Sequence, residues 1–141
     1  MSSAFTRELT VRFSHCDPAG IVFFPQYLVM LNNFVEQWFD EGLGLAYADL
    51  ILQRRTGLPT VRLEADFTAV SRMGELLVQR LAVTRLGRSS LQLRHEFTGD
   101  GELRMRVHQV LVCTSLETHR PQALPEDVRQ AIISYVENPV P

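Results

Sequence analysis

Residues 15 to 27 read His-Cys-Asp-Pro-Ala-Gly-Ile-Val-Phe-Phe-Pro-Gln-Tyr. This segment places the carboxylate of Asp17 in a turn between a strand and the N-terminus of a long apolar helix. Pro25 suits the first helical position, where its missing N–H costs little. A carboxylate can attack a carbonyl carbon or activate water, and a helix N-terminus can bind the resulting oxyanion. The segment therefore predicts an acyl-transfer site.

The residues on both sides of this segment predict a strand and two helices. Apolar residues alternate with polar ones over residues 5–13, which is typical of a half-buried strand. If this alternation continues to Pro18, His15 and Asp17 lie on the buried face. Apolar residues recur at helical spacing over residues 26–41, with Gly42 as the stop, and a shorter helix fits residues 47–55.

The second half of the chain changes to a period of two. Strands are predicted over residues 61–69, 77–83, 91–97 and 103–113, and Pro125 opens a final amphipathic helix. We expect the four consecutive strands to meander and to join the first strand in one five-stranded antiparallel sheet. The wide apolar helix must cover a face of this sheet. The prediction is an α+β hot-dog fold, a sheet wrapped around one central helix, as a single domain over residues 1–141.

Composition excludes several classes of protein. The chain has 141 residues, 45% of them hydrophobic, and a net charge of −2, without the basic excess expected of a nucleic-acid-binding protein. It shows no signal core and no apolar stretch that could insert in a membrane. We expect a cytoplasmic protein with reduced thiols; a Cys16–Cys113 disulfide is the alternative. His95, His108 and His119 lack the spacing of metal ligands, so no metal site is expected.

The run from Asp17 to Tyr27 resembles the signature of the 4-hydroxybenzoyl-CoA thioesterase family of hot-dog enzymes. Weaker matches are Gly57-Leu58-Pro59 and Arg88-Ser89-Ser90. The resemblance implies hydrolysis of an acyl-CoA thioester with Asp17 as the catalytic carboxylate. It also implies a homotetramer of two dimers with active sites at the dimer interface. No separate cofactor is expected, because CoA is part of the substrate. Pro25 stands where related short-chain thioesterases often have His, which favours an aromatic acyl group.

Other residues take supporting roles in this prediction. Phe24 is the first candidate for the backbone oxyanion donor, because Pro25 has no N–H. Gly20 would let the backbone pass close to the thioester, and the hydroxyl of Tyr27 is a candidate for lining the pocket. Arg88 and Ser90, with Arg85 and Ser89, could bind the phosphates of CoA. An open sheet edge predicts self-association, either as a homodimer or as a dimer of dimers.

Several alternatives remain open at this point. Asp17 could act as nucleophile or as general base, or it could be only a turn former. A His15-Cys16-Asp17 triad is rejected, because sequence neighbours on an extended chain alternate faces; His15 could still tune the pKa of Asp17. Trp38 and Phe39 are assigned to the core rather than to an acyl pocket. The competing functions are a hot-dog hydroxyacyl dehydratase and a non-catalytic acyl-CoA-binding module.

Overall fold

The computed structural model describes residues 4–137 and has an α+β architecture. Its strands, in chain order, are β1 Phe5–Thr10, β2 Thr56–Gly57, β3 Thr60–Phe67, β4 Leu76–Leu86, β5 Ser90–Gly99, β6 Glu102–Val112 and β7 Thr114–Ser115. Its α-helices are α1 Phe24–Gln37, α2 Tyr47–Leu52 and α3 Glu126–Ile133. A short 3₁₀ turn covers Phe13–His15, and α1 continues into a π-helical turn over Trp38–Leu43.

Five strands form one antiparallel sheet in the order β1-β4-β5-β6-β3, which confirms the predicted fold class. The expected four-strand meander is wrong in one respect. Only β4, β5 and β6 follow one another, whereas β3 crosses to the far edge and pairs with β6. No tight hairpin joins β3 to β4; residues 68–75 instead run beside the segment that follows β1, where the Gly74 N–H donates to the Val11 carbonyl at 2.8 Å.

The core lies between α1 and the concave face of this sheet. Phe34 of α1 packs against Phe5 and Phe97, with ring centroids 5.3 Å and 6.2 Å apart. Trp38 and Phe39 are fully buried, which confirms their assignment to the core. Alternate residues of β5 face the helix and have no exposed surface: Leu91, Leu93, His95 and Phe97. Because the sheet curves around α1, the helix contacts apolar residues on more than one side. This contact explains why its apolar surface is wide.

The ends of the first strand and of the long helix differ from the prediction. β1 stops at Thr10, so Phe13 does not continue the buried face and is 79% exposed. Pro25 is the second residue of α1 rather than the first. Gly42 lies inside the π-helical turn, and the left-handed residue that ends it is Gly44, with φ of 67°. The spacing of apolar residues in the sequence does not reveal a π-helical turn, because apolar positions continue through it.

Gly42 is required for close packing rather than for helix termination. A Cβ built on it would lie 2.7 Å from Trp38 Cδ1 and 3.0 Å from the ring of Phe5. We expect Gly42→Ala to lower the free energy of unfolding by about 1–3 kcal/mol, because rigid aromatic rings must shift. Urea denaturation measures this loss. Gly44→Asn is the control, since that site is open and Asn tolerates a positive φ; an equal loss in both variants would contradict the packing argument.

One apolar face of β3 remains uncovered. Leu63 and Phe67 lie on the side of the sheet that faces α1, and Val61 lies at a register irregularity between Thr60 and Arg62, yet the three are 38%, 44% and 60% exposed. β3 is an edge strand with β6 as its one neighbour in the sheet. The predicted alternation of apolar and polar residues is present in this strand, but the helix does not reach far enough to bury it. Among residues 4–137, no helix is long and apolar enough to cross a membrane.

Candidate active site

Asp17 lies in a tight turn that the chain enters after leaving β1. Its Oδ1 accepts a hydrogen bond from the Ala19 N–H at 2.8 Å, and its carbonyl accepts one from the Gly20 N–H at 3.0 Å. Gly20 has φ of 78°, a left-handed conformation that glycine adopts without strain. The second carboxylate oxygen, Oδ2, makes no hydrogen bond to any of residues 4–137. Asp17 thus shapes the turn with one oxygen and keeps the other available.

The N-terminus of α1 follows this turn directly. The Phe23 N–H donates to the His15 carbonyl at 3.0 Å, and the Gln26 N–H donates to the Phe23 carbonyl at 2.8 Å. Pro25 has no N–H to donate. The Phe24 N–H has no acceptor within the described part of the chain, so it is free to bind an incoming oxygen. The macrodipole of the helix adds partial positive charge at this position.

An apolar cleft of about 300 Å³ opens beside the start of α1. Its aromatic wall is formed by Phe24, Tyr27 and Phe67, whose neighbouring ring centroids lie 5.7–5.8 Å apart. The other lining residues are Val22, Thr68, Ala69 and Val70. The structure therefore brings Phe24 and Tyr27 together. Asp17 does not line the cleft itself; it belongs to the turn that Val22 closes by pairing with Cys16.

Tyr27 contributes its ring to the cleft rather than its hydroxyl. The side chain is only 3% exposed, and its hydroxyl donates to Ser71 Oγ at 2.7 Å. Burial raises the pKa of Tyr27 above the ordinary value of 10.0, so the phenol is protonated at neutral pH. We expected this hydroxyl to line the pocket; in the structure it instead makes a buried hydrogen bond to Ser71, behind the aromatic wall.

A buried ion pair behind the cleft was missed by the sequence analysis. Arg104 donates from Nη2 to Glu75 Oε2 at 2.9 Å, and its side chain is only 4% exposed. The hydrogen bond from Arg104 lowers the pKa of Glu75 to about 2, with a further contribution from the Arg72 N–H. Arg104 alternates with apolar residues in β6, so its position looked solvated. Gly99 accommodates this side chain, because a Cβ there would lie 2.8 Å from the Arg104 guanidinium.

His15 and Cys16 do not form a catalytic unit with Asp17. His15 Nδ1 accepts a hydrogen bond from the Arg12 N–H at 2.9 Å, and burial, followed by the charge of Arg12, lowers the pKa of His15. The 3₁₀ turn ends the alternation on which a shared face with Asp17 depended. Cys16 and Cys113 are both free thiols, so the disulfide alternative is not formed.

The remaining polar groups in the core show no ligand set. His95 is fully buried, its Nε2 lies 2.8 Å from Gln109 Oε1, and burial lowers its pKa to about 4. Within residues 4–137, no three His, Cys, Asp or Glu side chains are grouped so that they could hold a metal ion.

Arg88 and Ser90 lie far from the cleft within one protomer. Arg88 lies in the turn between β4 and β5, and Ser90 is the first residue of β5, where it pairs with Val112. The cleft residue Phe67 is instead in register with Phe97, through Met105. Ser90 and Phe97 are seven positions apart along β5, which corresponds to a distance of about 23 Å. The side chain of Arg88 is exposed, while its carbonyl accepts a hydrogen bond from the Leu124 N–H at 3.0 Å.

Comparison with known proteins places the chain in a family. A family model described as the thioesterase-like superfamily matches residues 11–132. The 4-hydroxybenzoyl-CoA thioesterase of Pseudomonas sp. (strain CBS-3) is 27% identical over 130 residues, covering 88% of this chain and 92% of that protein.

Two solved structures extend this likeness to the fold. A 1,4-dihydroxy-2-naphthoyl-CoA thioesterase from Synechocystis has a TM-score of 0.85 at 27% identity, covering 93% of this chain and 96% of that one. A gentisyl-coenzyme A thioesterase has a TM-score of 0.81 at 26% identity, covering 91% and 99%. With its five-stranded sheet, its central helix and the matching family model, the chain belongs to the thioesterase-like superfamily and is a thioesterase of the hot-dog fold.

Proposed function

We propose that this thioesterase hydrolyses an acyl-CoA ester to the free acid and CoA, with Asp17 as the catalytic carboxylate. One observation carries the proposal: a carboxylate with a free oxygen lies in the turn that leads into an unpaired helix N-terminus beside an apolar cleft. The named relatives act on CoA thioesters. These parts match the two needs of thioester hydrolysis, which are an activated nucleophile and a site for the oxyanion.

Asp17 has two chemical routes to the same products. As general base, it takes a proton from a water whose oxygen bonds to the thioester carbon. As nucleophile, it bonds to that carbon itself, and water then hydrolyses the mixed anhydride. In either route the carbonyl oxygen becomes an oxyanion, which the Phe24 N–H binds, and the C–S bond breaks to release the CoA thiolate. Gly20, which has open space where a side chain would stand, would let the backbone of the turn approach the thioester.

The shape of the cleft favours an aromatic acyl group. Phe24, Tyr27 and Phe67 present ring edges and faces on which a flat acyl ring could pack in offset or edge-on geometry. The relatives reported above are named for hydroxybenzoyl, dihydroxynaphthoyl and gentisyl esters. We therefore place hydroxylated aromatic acyl-CoA esters first among the candidate substrates and short aliphatic esters second.

A panel of CoA esters tests this proposal directly. Free thiol release is measured with benzoyl, 4-hydroxybenzoyl, 1,4-dihydroxy-2-naphthoyl, phenylacetyl, butyryl and palmitoyl CoA. We expect the highest kcat/KM with a hydroxylated aromatic ester. Preference for butyryl or palmitoyl CoA would overturn the aromatic assignment. Hydration or dehydration of an acyl chain without thiol release would instead support the dehydratase alternative, and tight binding with neither reaction would support the acyl-CoA-binding module.

Self-association is part of the proposal because we assign Arg88 and Ser90 to the cleft of a neighbouring subunit. Arg88 and Ser90 lie about 23 Å from the cleft along β5, which favours their binding the CoA phosphates in the cleft of another subunit. The exposed apolar side chains of Val61, Leu63 and Phe67 on the β3 edge favour burial against a second copy. We propose a homodimer, or a tetramer of two dimers, in which each cleft receives the Arg88 turn of a neighbouring subunit.

Removing the Arg88 side chain should weaken CoA binding without changing the chemical step. We expect Arg88→Ala to raise KM about 3- to 10-fold and to leave kcat within about twofold, because the contact to phosphate is equal in ground and transition states. Steady-state kinetics with the best ester measures both constants. Arg80→Ala, which removes an exposed arginine in the middle of β4, is the matched control. An unchanged KM in Arg88→Ala would remove this residue from the CoA site.

A further inference from the structure

Residues 68–75, called the strap here, hold the Asp17 turn in place. The Val22 N–H donates to the Ser71 carbonyl at 2.9 Å, and the Met73 N–H donates to the Gly20 carbonyl at 3.0 Å. Ile21 and Arg72 pair as an isolated antiparallel bridge. The strap is therefore paired with the Asp17 turn through backbone hydrogen bonds. Any shift of the strap moves the turn with it, because two backbone hydrogen bonds join them.

Besides its backbone hydrogen bonds to Val11 and to the Arg104 carbonyl, the strap is held by one buried side chain, that of Arg104. Its Nη1 donates to the Val70 carbonyl at 2.8 Å and to Ser71 Oγ at 3.2 Å. Its two terminal nitrogens also contact both carboxylate oxygens of Glu75, at 3.1 Å and 2.9 Å. One guanidinium therefore contacts Val70 and Ser71 in the first half of the strap and Glu75 at its end. A lysine ammonium lacks the planar fork that this arrangement requires.

The same side chain reaches the aromatic wall of the cleft through Ser71. Ser71 is fully buried, and its Oγ accepts hydrogen bonds from both Arg104 and the Tyr27 hydroxyl. Tyr27 lies in the first turn of α1, three residues after the proposed oxyanion donor Phe24. Arg104 is thus connected to both halves of the candidate site: to the Asp17 turn by the strap and to the start of α1 by Ser71.

We propose that Arg104, acting through Glu75 and Ser71, is a positioning residue that sets the placement of the Asp17 carboxylate relative to the N-terminus of α1. The inference rests on the proposed function of Asp17 and Phe24. Stability alone is a weak reason to bury this charge, because well-packed apolar residues often replace a buried ion pair without loss. The guanidinium instead supplies several hydrogen-bond donors whose directions are fixed relative to one another. Gly99 leaves room for it, and the Gly99 carbonyl accepts a hydrogen bond from its Nη2 at 3.1 Å.

The kinetic test compares two arginine variants with similar ion pairs. Arg104→Met is expected to lower kcat about 10- to 100-fold while KM changes less than threefold, because a misplaced catalytic group costs rate more than binding. Arg94→Met is the matched control, since Arg94 also contacts a half-buried carboxylate, that of Glu137, on the opposite face of the sheet. Arg104→Lys should not restore kcat. An equal fall in kcat in Arg94→Met, or a wild-type kcat in Arg104→Met, would overturn the proposal.

Ser71→Ala tests the same proposal with a small change that keeps the fold. It removes one oxygen and leaves the Arg104–Glu75 pair in place, so the test stands if Arg104→Met does not fold. We expect kcat about 3- to 10-fold lower with KM within twofold. In the double variant with Asp17→Asn, the effect of Ser71→Ala on kcat should disappear, because positioning has no effect without the group positioned. Unchanged kcat in Ser71→Ala, or a fully multiplicative double variant, would reject the role.

Amide hydrogen exchange gives a readout that does not depend on activity. In Arg104→Met, the Val22 and Met73 amides, which join turn and strap, should exchange at least about tenfold faster, while amides of β5 keep their protection. In the control Arg94→Met, both amides should remain protected. Continued protection of both amides in Arg104→Met would contradict the proposal. If the wild type releases thiol from no acyl-CoA, the proposed function fails, and exchange at these two amides still decides whether Arg104 holds the turn.

Discussion

Asp17→Asn is expected to lower kcat by about 10²- to 10⁴-fold, the range that a positioned acid–base group contributes. The asparagine amide cannot take a proton from water and is a poor nucleophile toward a thioester carbon. The substitution should leave the turn intact, because the asparagine side-chain oxygen can still accept the hydrogen bond from the Ala19 N–H that Asp17 Oδ1 accepts at 2.8 Å. KM, or the Kd of a non-hydrolysable thioether analogue, should change little.

The measurement is thiol release under steady-state and single-turnover conditions, with analogue affinity determined by calorimetry. Asp100→Asn is the control, because it makes the same chemical change at the tip of the β5–β6 hairpin, where φ is 49° and asparagine is well tolerated. Wild-type-like hydrolysis by Asp17→Asn would remove this carboxylate from the mechanism and leave it as a turn former. A large loss of analogue binding would show that the substitution disturbs the cleft rather than the chemistry.

Glu75→Ala is expected to lower the free energy of unfolding by about 2–3 kcal/mol, because the buried Arg104 loses the carboxylate to which it hydrogen-bonds and keeps the more exposed Glu102 as its ion-pair partner. The guanidinium keeps the carbonyls of Val70 and Gly99 as acceptors and keeps Glu102 Oε1 at 3.2 Å from Nε, but it loses both contacts to Glu75. Urea denaturation at neutral pH measures the loss. Glu64→Ala is the control, since Glu64 and its partner Arg62 are both well exposed, and exposed pairs contribute about 0–1 kcal/mol. Equal losses in the two variants would contradict the structural role of the buried pair.

The effect of Glu75 on stability should depend on pH in a defined direction. Its pKa falls from 4.5 to about 2 on folding, chiefly because Arg104 hydrogen-bonds to the carboxylate. A carboxyl group with a lowered pKa in the folded state stabilises fully above its unfolded pKa, and this contribution is lost as pH falls toward the folded value. The stability difference between wild type and Glu75→Ala should therefore shrink between pH 4.5 and about 2. A difference that stays constant across this range would argue against the ion pair.

Local sequence patterns predicted the elements of this fold well but predicted one strand connection wrongly. The alternation over β4, β5 and β6 matches the observed hairpins. β3 shows the same alternation, yet it pairs with β6 at the far edge. Periodicity reports which residues share a face of a strand, not which strand lies beside it. β3 is joined to β6 by a ladder between residues about 40–50 positions apart in the chain, which no local pattern encodes.

Some residues of the candidate site could be predicted from local sequence, and others are brought together only by tertiary contacts. Asp17, Gly20, Phe24 and Tyr27 lie within eleven residues, and a local turn followed by a helix start is sufficient to bring them near each other. Arg104 and Glu75 lie 29 residues apart and meet only because β6 passes behind the strap. Arg88 and Ser90 show the reverse case, since the sequence grouped them with the site and the sheet places them at its other end.

The sequence by itself determined the helix that fills the sheet, the turn that carries Asp17, and the free N–H at Phe24, because each depends on neighbours within a few residues. Only the tertiary structure decided that a buried guanidinium holds that turn, that the Tyr27 hydroxyl faces Ser71, and that the apolar edge of β3 remains uncovered. The physical reason is the range of the interactions. Turn and helix geometry is set by local backbone preferences, whereas burial and ion pairing depend on which distant segments the sheet brings into contact.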